Sequence, residues 1–255
     1  MEKCKLWEEN VECNVEMEYY PPLQKASDIA VVIFPGGGYR NLVCREGAGY
    51  AQLLNTFGIT AFVVNYRIYP NKFPLPLMDA RRAMRFVRAN AEKFGVDKNK
   101  ILAMGSSAGG HLAALLSTYL EDIGEPQDEL YQETFLPNGQ ILCYPVISSD
   151  ESIFHVGSFK YLLQDLYEEK EKYSPELLVN ATTPPAFIWH TEEDVSVSCE
   201  NSFRYATALK RAKIGCELHI FPNGRHGLGL SPQLPHVAQW TLLLRNWLNE
   251  YFFDK

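Results

Sequence analysis

The stretch "GSSAGGHLAALLSTYL", residues 105–120, places two neighbouring serines among glycines, between the apolar run "KILAM" (100–104) and a helical pattern. Glycine is a poor helix former and has no side chain to pack, so this density of glycine indicates a sharp strand-to-helix turn. Residues 105–109 fit G-x-S-x-G, the pattern of a nucleophile elbow. We therefore predict that Ser107 is a nucleophile and that Ser106 occupies the variable position.

Apolar runs and helical patterns alternate along the rest of the chain. Besides 100–104, strands are predicted at 29–34, 60–66, 140–146, 185–191 and 216–221. Amphipathic helices are predicted at 77–94, 200–212 and 237–251. Runs that are apolar throughout are typical of a parallel sheet covered on both faces. We therefore predict one doubly wound α/β domain spanning residues 1–255, with helices on both faces of the sheet.

One segment, 147–184, lacks this regularity, and we interpret it as an insertion over one edge of the domain. Within it, residues 165–178 are expected to form a charged surface helix. A second group of charges lies on the helix predicted at 77–94, where we expect the arginines to form its solvated face. They are Arg81, Arg82, Arg85 and Arg88.

Composition and charge exclude several classes of partner. The net charge of −7 gives no general attraction to nucleic acid or anionic lipid. No apolar run is long enough to span a bilayer, and the charged N-terminus has no signal-peptide core, so we expect a cytoplasmic location. The six cysteines form no C-x-x-C pair and are expected to be free thiols.

A serine hydroxyl needs a base, and in this motif class the acid and then the histidine follow the serine along the chain. The histidines of the chain are His111, His155, His190, His219, His226 and His236. We predict His226 as the base, because "FPNGRHGLGL" (221–230) places it in a glycine-rich loop just after a strand. His111 is expected to be a structural partner beneath the elbow.

The acid is expected after the strand at 185–191, where Glu192, Glu193 and Asp194 are all available. We predict Asp194, since the segment is similar to D-x-x-V-P with Ser198 in place of the proline. Its expected role is to hold the imidazole in the correct tautomer and to stabilise the imidazolium.

The segment "FPGGGY" (34–39) follows the first strand and offers closely approaching backbone N–H groups. We predict that Gly37, Gly38 and Ala108 form an oxyanion hole, because a helix start leaves N–H groups free. Tyr39 is predicted to contact substrate. The chain has no phosphate-loop pattern and no metal-ligand spacing, so neither a cofactor nor a metal is expected.

Five segments together resemble the α/β-hydrolase esterases, and in particular the bacterial acetylesterase and acetyl-xylan-esterase-like branch related to the hormone-sensitive-lipase family. They are "FPGGGY", "YRIYPNKFPLPLMDARRAMRFVRANAEKFGVDKNKI", "MGSSAGGHLAA", "YSPELLVNATTPPAFIWHTEEDVSVSCENS" and "FPNGRHGLGL". The resemblance covers residues 15–252. It implies hydrolysis of carboxylic esters with small acyl groups, often on acetylated sugars, and it implies Ser107, Asp194 and His226 as the catalytic triad.

The sequence therefore predicts a serine carboxylesterase that acts on acetyl esters, including those of sugars or xylo-oligosaccharides, without a cofactor. The expected partner is a small ester; neither nucleic acid nor a membrane is expected, and a homodimer stays open. A peptidase or an arylformamidase of the same fold is the alternative. A non-catalytic ligand-binding protein is a third class, although such proteins commonly lack one of the three triad residues.

Overall fold

The computed structural model describes residues 2–7 and 15–253, which build one eight-stranded sheet. The strands are β1 (Glu2–Lys5), β2 (Glu16–Tyr20), β3 (Ala30–Phe34), β4 (Thr60–Val64), β5 (Ile101–Ser106), β6 (Gln140–Cys143), β7 (Ala186–Thr191) and β8 (Cys216–Phe221). Their order in the sheet is β1-β2-β4-β3-β5-β6-β7-β8. From β4 to β8 all neighbouring strands are parallel, whereas β2 pairs antiparallel with β1 and β4.

Helices cover both faces of this sheet. They are α1 (Cys44–Thr56), α2 (Leu75–Ala89), α3 (Ala91–Phe94), α4 (Ala108–Thr118), α5 (Val156–Leu163), α6 (Pro175–Leu178), α7 (Glu200–Arg211), α8 (Pro235–Ala238) and α9 (Trp240–Tyr251). Alternate residues of β3 enter two separate cores: Val32 joins the core under α2 and α4, and Val31 joins the core under α1 and α9. The predicted doubly wound α/β sheet is therefore confirmed.

Some element bounds differ from the prediction. Strands β1 and β2 were not predicted, because in this edge pair Met17 and Cys4 are buried while the other residues are partly or fully exposed. The strand predicted at 140–146 ends at Cys143, since Tyr144 takes a positive φ of 37°. The helix predicted at 77–94 is two helices, which meet at Asn90.

The irregular segment is only partly helical. Residues 165–178, predicted as a charged surface helix, form most of a 3₁₀ helix (Gln164–Tyr173) followed by the single turn of α6. The segment packs beside α4, where the carbonyl oxygen of Tyr173 accepts a hydrogen bond from the ring of His111 at 2.8 Å. The last residue of the 3₁₀ helix is therefore hydrogen-bonded to the buried ring of His111.

The arginines of α2 are buried, which corrects their predicted role as a solvated face. Their exposed fractions range from 2% for Arg81 to 8% for Arg82. Arg81 donates to the carbonyl oxygen of Tyr119 at 2.7 Å and to Glu125 at 2.9 Å, and Arg85 donates to the carbonyl oxygen of Tyr131 at 2.6 Å. Arg81 and Arg85 thus hold the segment that connects α4 to β6, because they donate to backbone carbonyl oxygens of that segment.

Two further predictions concern the chain as a whole. Cys4, Cys44, Cys143, Cys199 and Cys216 are free thiols, while Cys13 lies outside the described residues. Among the described helices, none combines the length and the apolar character that crossing a membrane requires.

Close backbone contacts at the end of β5 explain the glycines that flank the serine pair. A Cβ atom added to Gly105 would lie 2.0 Å from the carbonyl oxygen of Gly109, and one added to Gly109 would lie 2.0 Å from that of Phe34. A Cβ at Gly110 would lie 2.9 Å from the side chain of Pro145. Glycine at these positions therefore lets α4 start directly against β3 and β5.

Two helical glycines give a matched test of this contact. Gly109→Ala should lower the free energy of unfolding by more than about 3 kcal/mol, because the new methyl group would overlap backbone. Gly49→Ala in α1 should raise it by about 0.5–1 kcal/mol, since the added Cβ would lie 4.0 Å from its nearest neighbour in Leu230. Urea unfolding measures both changes, and equal effects of the two substitutions would contradict this account.

Candidate active site

Ser107 is the single residue between β5 and α4, and its backbone is strained. Its φ of 53° and ψ of −119° lie outside the region that side-chain-bearing residues prefer. Three hydrogen bonds hold it there: its N–H donates to Cys143, and its carbonyl oxygen accepts from His111 and Val146, each at 3.0 Å. The turn lifts Oγ above the end of the sheet, where the side chain stays 7% exposed.

His226 lies in the loop after β8, and its ring joins two other predicted site residues. Its Nε2 lies 2.8 Å from Oγ of Ser107, and its Nδ1 lies 2.6 Å from Oδ2 of Asp194. A carboxylate only accepts hydrogen bonds, so Nδ1 carries the proton and Nε2 accepts the serine hydroxyl. The structure thus brings Ser107, His226 and Asp194 into one hydrogen-bonded series.

Asp194 is surrounded by donors. Its Oδ1 accepts from the backbone N–H groups of Ser196 at 3.0 Å and Val197 at 2.9 Å, and its Oδ2 also lies 3.3 Å from Nε2 of His190. Burial by itself raises the pKa of Asp194, but the hydrogen bonds from His190 and His226 outweigh it and hold that pKa well below its usual value. Asp194 is therefore a carboxylate that stays ionised beside the imidazole.

His190, which the sequence indicates as a core residue or a neighbour of the catalytic residues and not as the base, lies beside Asp194. Its Nδ1 lies 2.8 Å from the hydroxyl of Ser202, and its Nε2 lies 2.9 Å from the carbonyl oxygen of Val197 as well as near Asp194. Both neighbours of Nε2 are acceptors, so Nε2–H donates to both and Nδ1 accepts from the serine. The sequence feature that indicates a position near the site is that His190 lies at the end of β7, four residues before Asp194.

The two glutamates considered as alternative acids lie elsewhere. Glu193 accepts from the backbone N–H of Gly224 at 2.8 Å and from the side chain of Asn223 at 3.1 Å. Its hydrogen bonds therefore go to the backbone of the His226 loop and not to the imidazole. Glu192 is exposed.

The glycine loop after β3 lies next to Ser107. Gly36 donates its N–H to Oε2 of Glu46 at 3.0 Å, and a Cβ added to Gly36 would lie 3.2 Å from that of Ser107. Among the described residues, none accepts a hydrogen bond from the N–H of Gly37 or Gly38. Ala108 is the first residue of α4, so its N–H has no acceptor within the helix. These are the three groups that the sequence predicts as oxyanion donors.

Tyr39 lies inside the protein, which does not support the predicted contact of its side chain with substrate. It is 1% exposed, and its hydroxyl donates to Nδ1 of His111 at 2.8 Å. The other nitrogen of His111 donates to Tyr173, and burial lowers the pKa of His111 to about 4. His111 is therefore a neutral structural partner of the glycine loop.

Among the described residues, the remaining histidines make no hydrogen bond to Ser107, His226 or Asp194, although His155 is near enough for the charge of His226 to add to burial in lowering the pKa of His155. His219 is on β8, where its Nε2 lies 2.8 Å from Glu217, and His236 is exposed on α8. The Nδ1 of His155 caps the start of α5. Within the described ranges 2–7 and 15–253, no three metal-ligating side chains are grouped so as to hold an ion.

The sequence and fold of this chain are similar to those of known hydrolases. A family model described as BD-FAE matches residues 17–138, and that of the prolyl oligopeptidase family matches residues 148–254. The crystal structure of an acetyl ester-xyloside bifunctional hydrolase from Caldicellulosiruptor lactoaceticus is 38% identical and superposes with a TM-score of 0.90. The alignment covers 100% of this chain and 97% of that chain.

Two curated relatives are longer. An acetylxylan esterase from Xylanibacter ruminicola is 35% identical over 88% of this chain and 46% of its own length. Endo-1,4-beta-xylanase B from Butyrivibrio fibrisolvens is 37% identical over 88% of this chain and 37% of its own length. The chain thus spans less than half the length of either. It belongs to the α/β-hydrolase family, in its acetylesterase and acetyl-xylan-esterase-like branch.

The acid can be tested by two isosteric substitutions. Asp194→Asn should lower kcat for ester hydrolysis by about four orders of magnitude, because the amide no longer holds the productive tautomer of His226. Glu193→Gln should change kcat by less than about tenfold, since Glu193 bonds only to the loop. Steady-state kinetics of the two purified variants decide the matter, and the opposite ranking would assign the acid to Glu193.

Proposed function

We propose that this protein is a serine carboxylesterase that removes short acyl groups, acetyl above all, from an alcohol. The observation that carries the proposal is the hydrogen-bonded series from Ser107 through His226 to Asp194, with distances of 2.8 and 2.6 Å. This is the arrangement that activates a serine hydroxyl, because the imidazole accepts its proton while the carboxylate stabilises the resulting imidazolium.

The first half of the reaction forms an acyl-enzyme. Oγ of Ser107 attacks the ester carbonyl carbon while His226 Nε2 takes the hydroxyl proton. The carbonyl oxygen becomes an oxyanion, which accepts hydrogen bonds from the N–H groups of Gly37, Gly38 and Ala108. As the tetrahedral intermediate collapses, the bond to the alcohol breaks, and His226 returns its proton to the leaving oxygen.

The second half releases the acid. Water attacks the acyl carbon while His226 takes one of its protons, and the second tetrahedral intermediate uses the same backbone donors. Collapse breaks the bond to Ser107, which recovers its proton from His226. Both halves use the same base and the same backbone N–H donors. Loss of one such preorganised donor commonly lowers kcat by about two to three orders of magnitude.

The substrate class rests on two kinds of support. Two of the three relatives named above are an acetylxylan esterase and an acetyl ester-xyloside bifunctional hydrolase, and this similarity favours an acetylated sugar such as a xylo-oligosaccharide as substrate. The exposed Arg40, two residues after Gly38, donates to the hydroxyl of Tyr161 at 3.2 Å. The 147–184 segment therefore reaches the glycine loop, where we propose that it borders the alcohol side of the site.

A peptidase or an arylformamidase is the second candidate. The observation that favours it is the match of residues 148–254 to the prolyl oligopeptidase family. The same serine, base and acid can cleave an amide, so the geometry alone does not separate the two. A panel of acetyl esters, aminoacyl amides and formylkynurenine distinguishes them by the ratio of kcat/KM values.

The nucleophile is tested by substituting the two neighbouring serines. Ser107→Ala should abolish both ester hydrolysis and covalent labelling by a fluorophosphonate, because the reagent phosphonylates the hydroxyl that His226 activates. Ser106→Ala is the matched control and should keep both, since the Ser106 hydroxyl is buried and bonds to Tyr50. Mass spectrometry of the labelled proteins gives the result, and labelling of Ser107→Ala would refute the assignment.

The acyl group is tested with p-nitrophenyl esters of increasing length. We expect kcat/KM to fall beyond four carbons, because each methylene gains about 0.8 kcal/mol only where a cavity buries it, and the sequence contains no apolar lid segment. A rise in kcat/KM from acetyl to octanoyl esters would overturn this prediction.

The sugar preference is tested by acetate release from acetylated xylo-oligosaccharides, with Ser107→Ala as the blank. If no acetate is released, the proposal reduces to a general short-chain esterase.

A further inference from the structure

Glu46 is a buried carboxylate that the proposed reaction does not use. It lies on α1 and is 2% exposed. Its Oε2 accepts the N–H of Gly36 at 3.0 Å, and its Oε1 accepts the hydroxyl of Tyr144 at 2.8 Å. A Cβ added to Gly36 would lie 2.4 Å from Oε2, so a side chain at this first glycine of the loop would overlap the carboxylate of Glu46.

The carboxylate ends a chain of buried hydroxyl groups whose direction can be worked out. Tyr144 has one hydroxyl proton and donates it to Glu46, which as a carboxylate only accepts. The hydroxyl of Tyr50, 2.9 Å away, must therefore donate to Tyr144, and Ser106 donates to Tyr50 at 2.9 Å. All three protons point toward Glu46.

This chain contacts three of the four segments that contribute to the proposed site. Ser106 is the residue before the nucleophile, and Gly36 precedes the two glycines assigned as oxyanion donors. Tyr144 accepts the N–H of Gly229 at 3.1 Å, and its ring makes a T-shaped contact with that of His226, with centroids 5.2 Å apart. One carboxylate and its partners thus connect the elbow, the glycine loop and the base loop.

We propose that Glu46 is a positioning residue, which holds the glycine loop through Gly36 and the His226 loop through Tyr144. The role rests on the proposed esterase function, because what it positions is the oxyanion donors and the base. Glu46 acts through accepted hydrogen bonds and does not touch the reacting atoms. A misplacement of about 1 Å at such groups is enough to slow a reaction about 100-fold.

The direction of the hydroxyl chain makes a specific consequence testable. In Glu46→Gln the amide oxygen can still accept Gly36, but the amide nitrogen must donate to Tyr144. Tyr144 then has to donate to Tyr50, and Tyr50 to Ser106, so the bonds between these groups survive with their direction reversed. The Ser106 hydroxyl proton, which Tyr50 accepts in the original direction, then loses that acceptor. Glu46→Ala differs from Glu46→Gln because it removes the acceptor of the Gly36 N–H altogether.

The experiment measures kcat and KM for p-nitrophenyl acetate, with active sites counted by complete fluorophosphonate titration. Glu46→Ala should lower kcat per titrated site about 100-fold with KM changed less than about threefold. Glu46→Gln should lower it only about fivefold or less, because the amide still accepts the Gly36 N–H and still bonds to Tyr144.

Glu125→Ala is the control for losing a buried carboxylate, because Glu125 pairs with Arg81 and Arg85 away from the site. It should lower the melting temperature and leave kcat per site unchanged. The positioning role is overturned if Glu46→Ala keeps kcat within threefold, or if Glu46→Gln falls as far as Glu46→Ala. Should Glu46→Ala not fold, Tyr144→Phe takes its place, because it removes the link from Glu46 to the His226 loop. It should lower kcat per site about tenfold, and a kcat within threefold of the wild type would overturn the role. A wild type that hydrolyses no ester would instead overturn the proposed function.

Discussion

The left-handed backbone of Ser107 is the constraint on which the arrangement of the site depends. A residue with a side chain in that conformation costs on the order of 1–3 kcal/mol, and the hydrogen bonds to Cys143, Val146 and His111 hold it in place. Those partners come from β6, from the loop after it and from α4. The nucleophile is therefore in position only when strands β5 and β6 and helix α4 are already packed together.

Two buried acids near this turn show how donors decide the state of a carboxyl group. Asp194 faces two backbone N–H groups and two histidines, and its pKa is held below the usual value despite burial. Glu46 has one backbone N–H and one tyrosine hydroxyl, and burial raises its pKa. The difference follows from the number and charge of the donors, since burial acts in the same direction on both.

The same principle explains the buried arginines of α2. A guanidinium group has five N–H donors, and at this helix it meets carbonyl oxygens and the acids of the connecting segment. Aromatic faces add to this, as in Arg81 over Phe135 at 4.0 Å. Helical spacing places such arginines on one face of α2, but it does not say whether that face meets water or another segment.

The sequence by itself determined the parallel core of the sheet, the elbow and the three residues that meet above it. Those features come from local patterns: continuous apolar runs, glycine where backbones touch, and the order of serine, acid and histidine. Only the tertiary structure decided that β1 and β2 extend the sheet, that Tyr39 lies inside, and that His190 and Glu46 bond to the site. These depend on contacts between segments far apart in the chain, and a buried polar residue is recognised by its partners and not by its own neighbours in sequence.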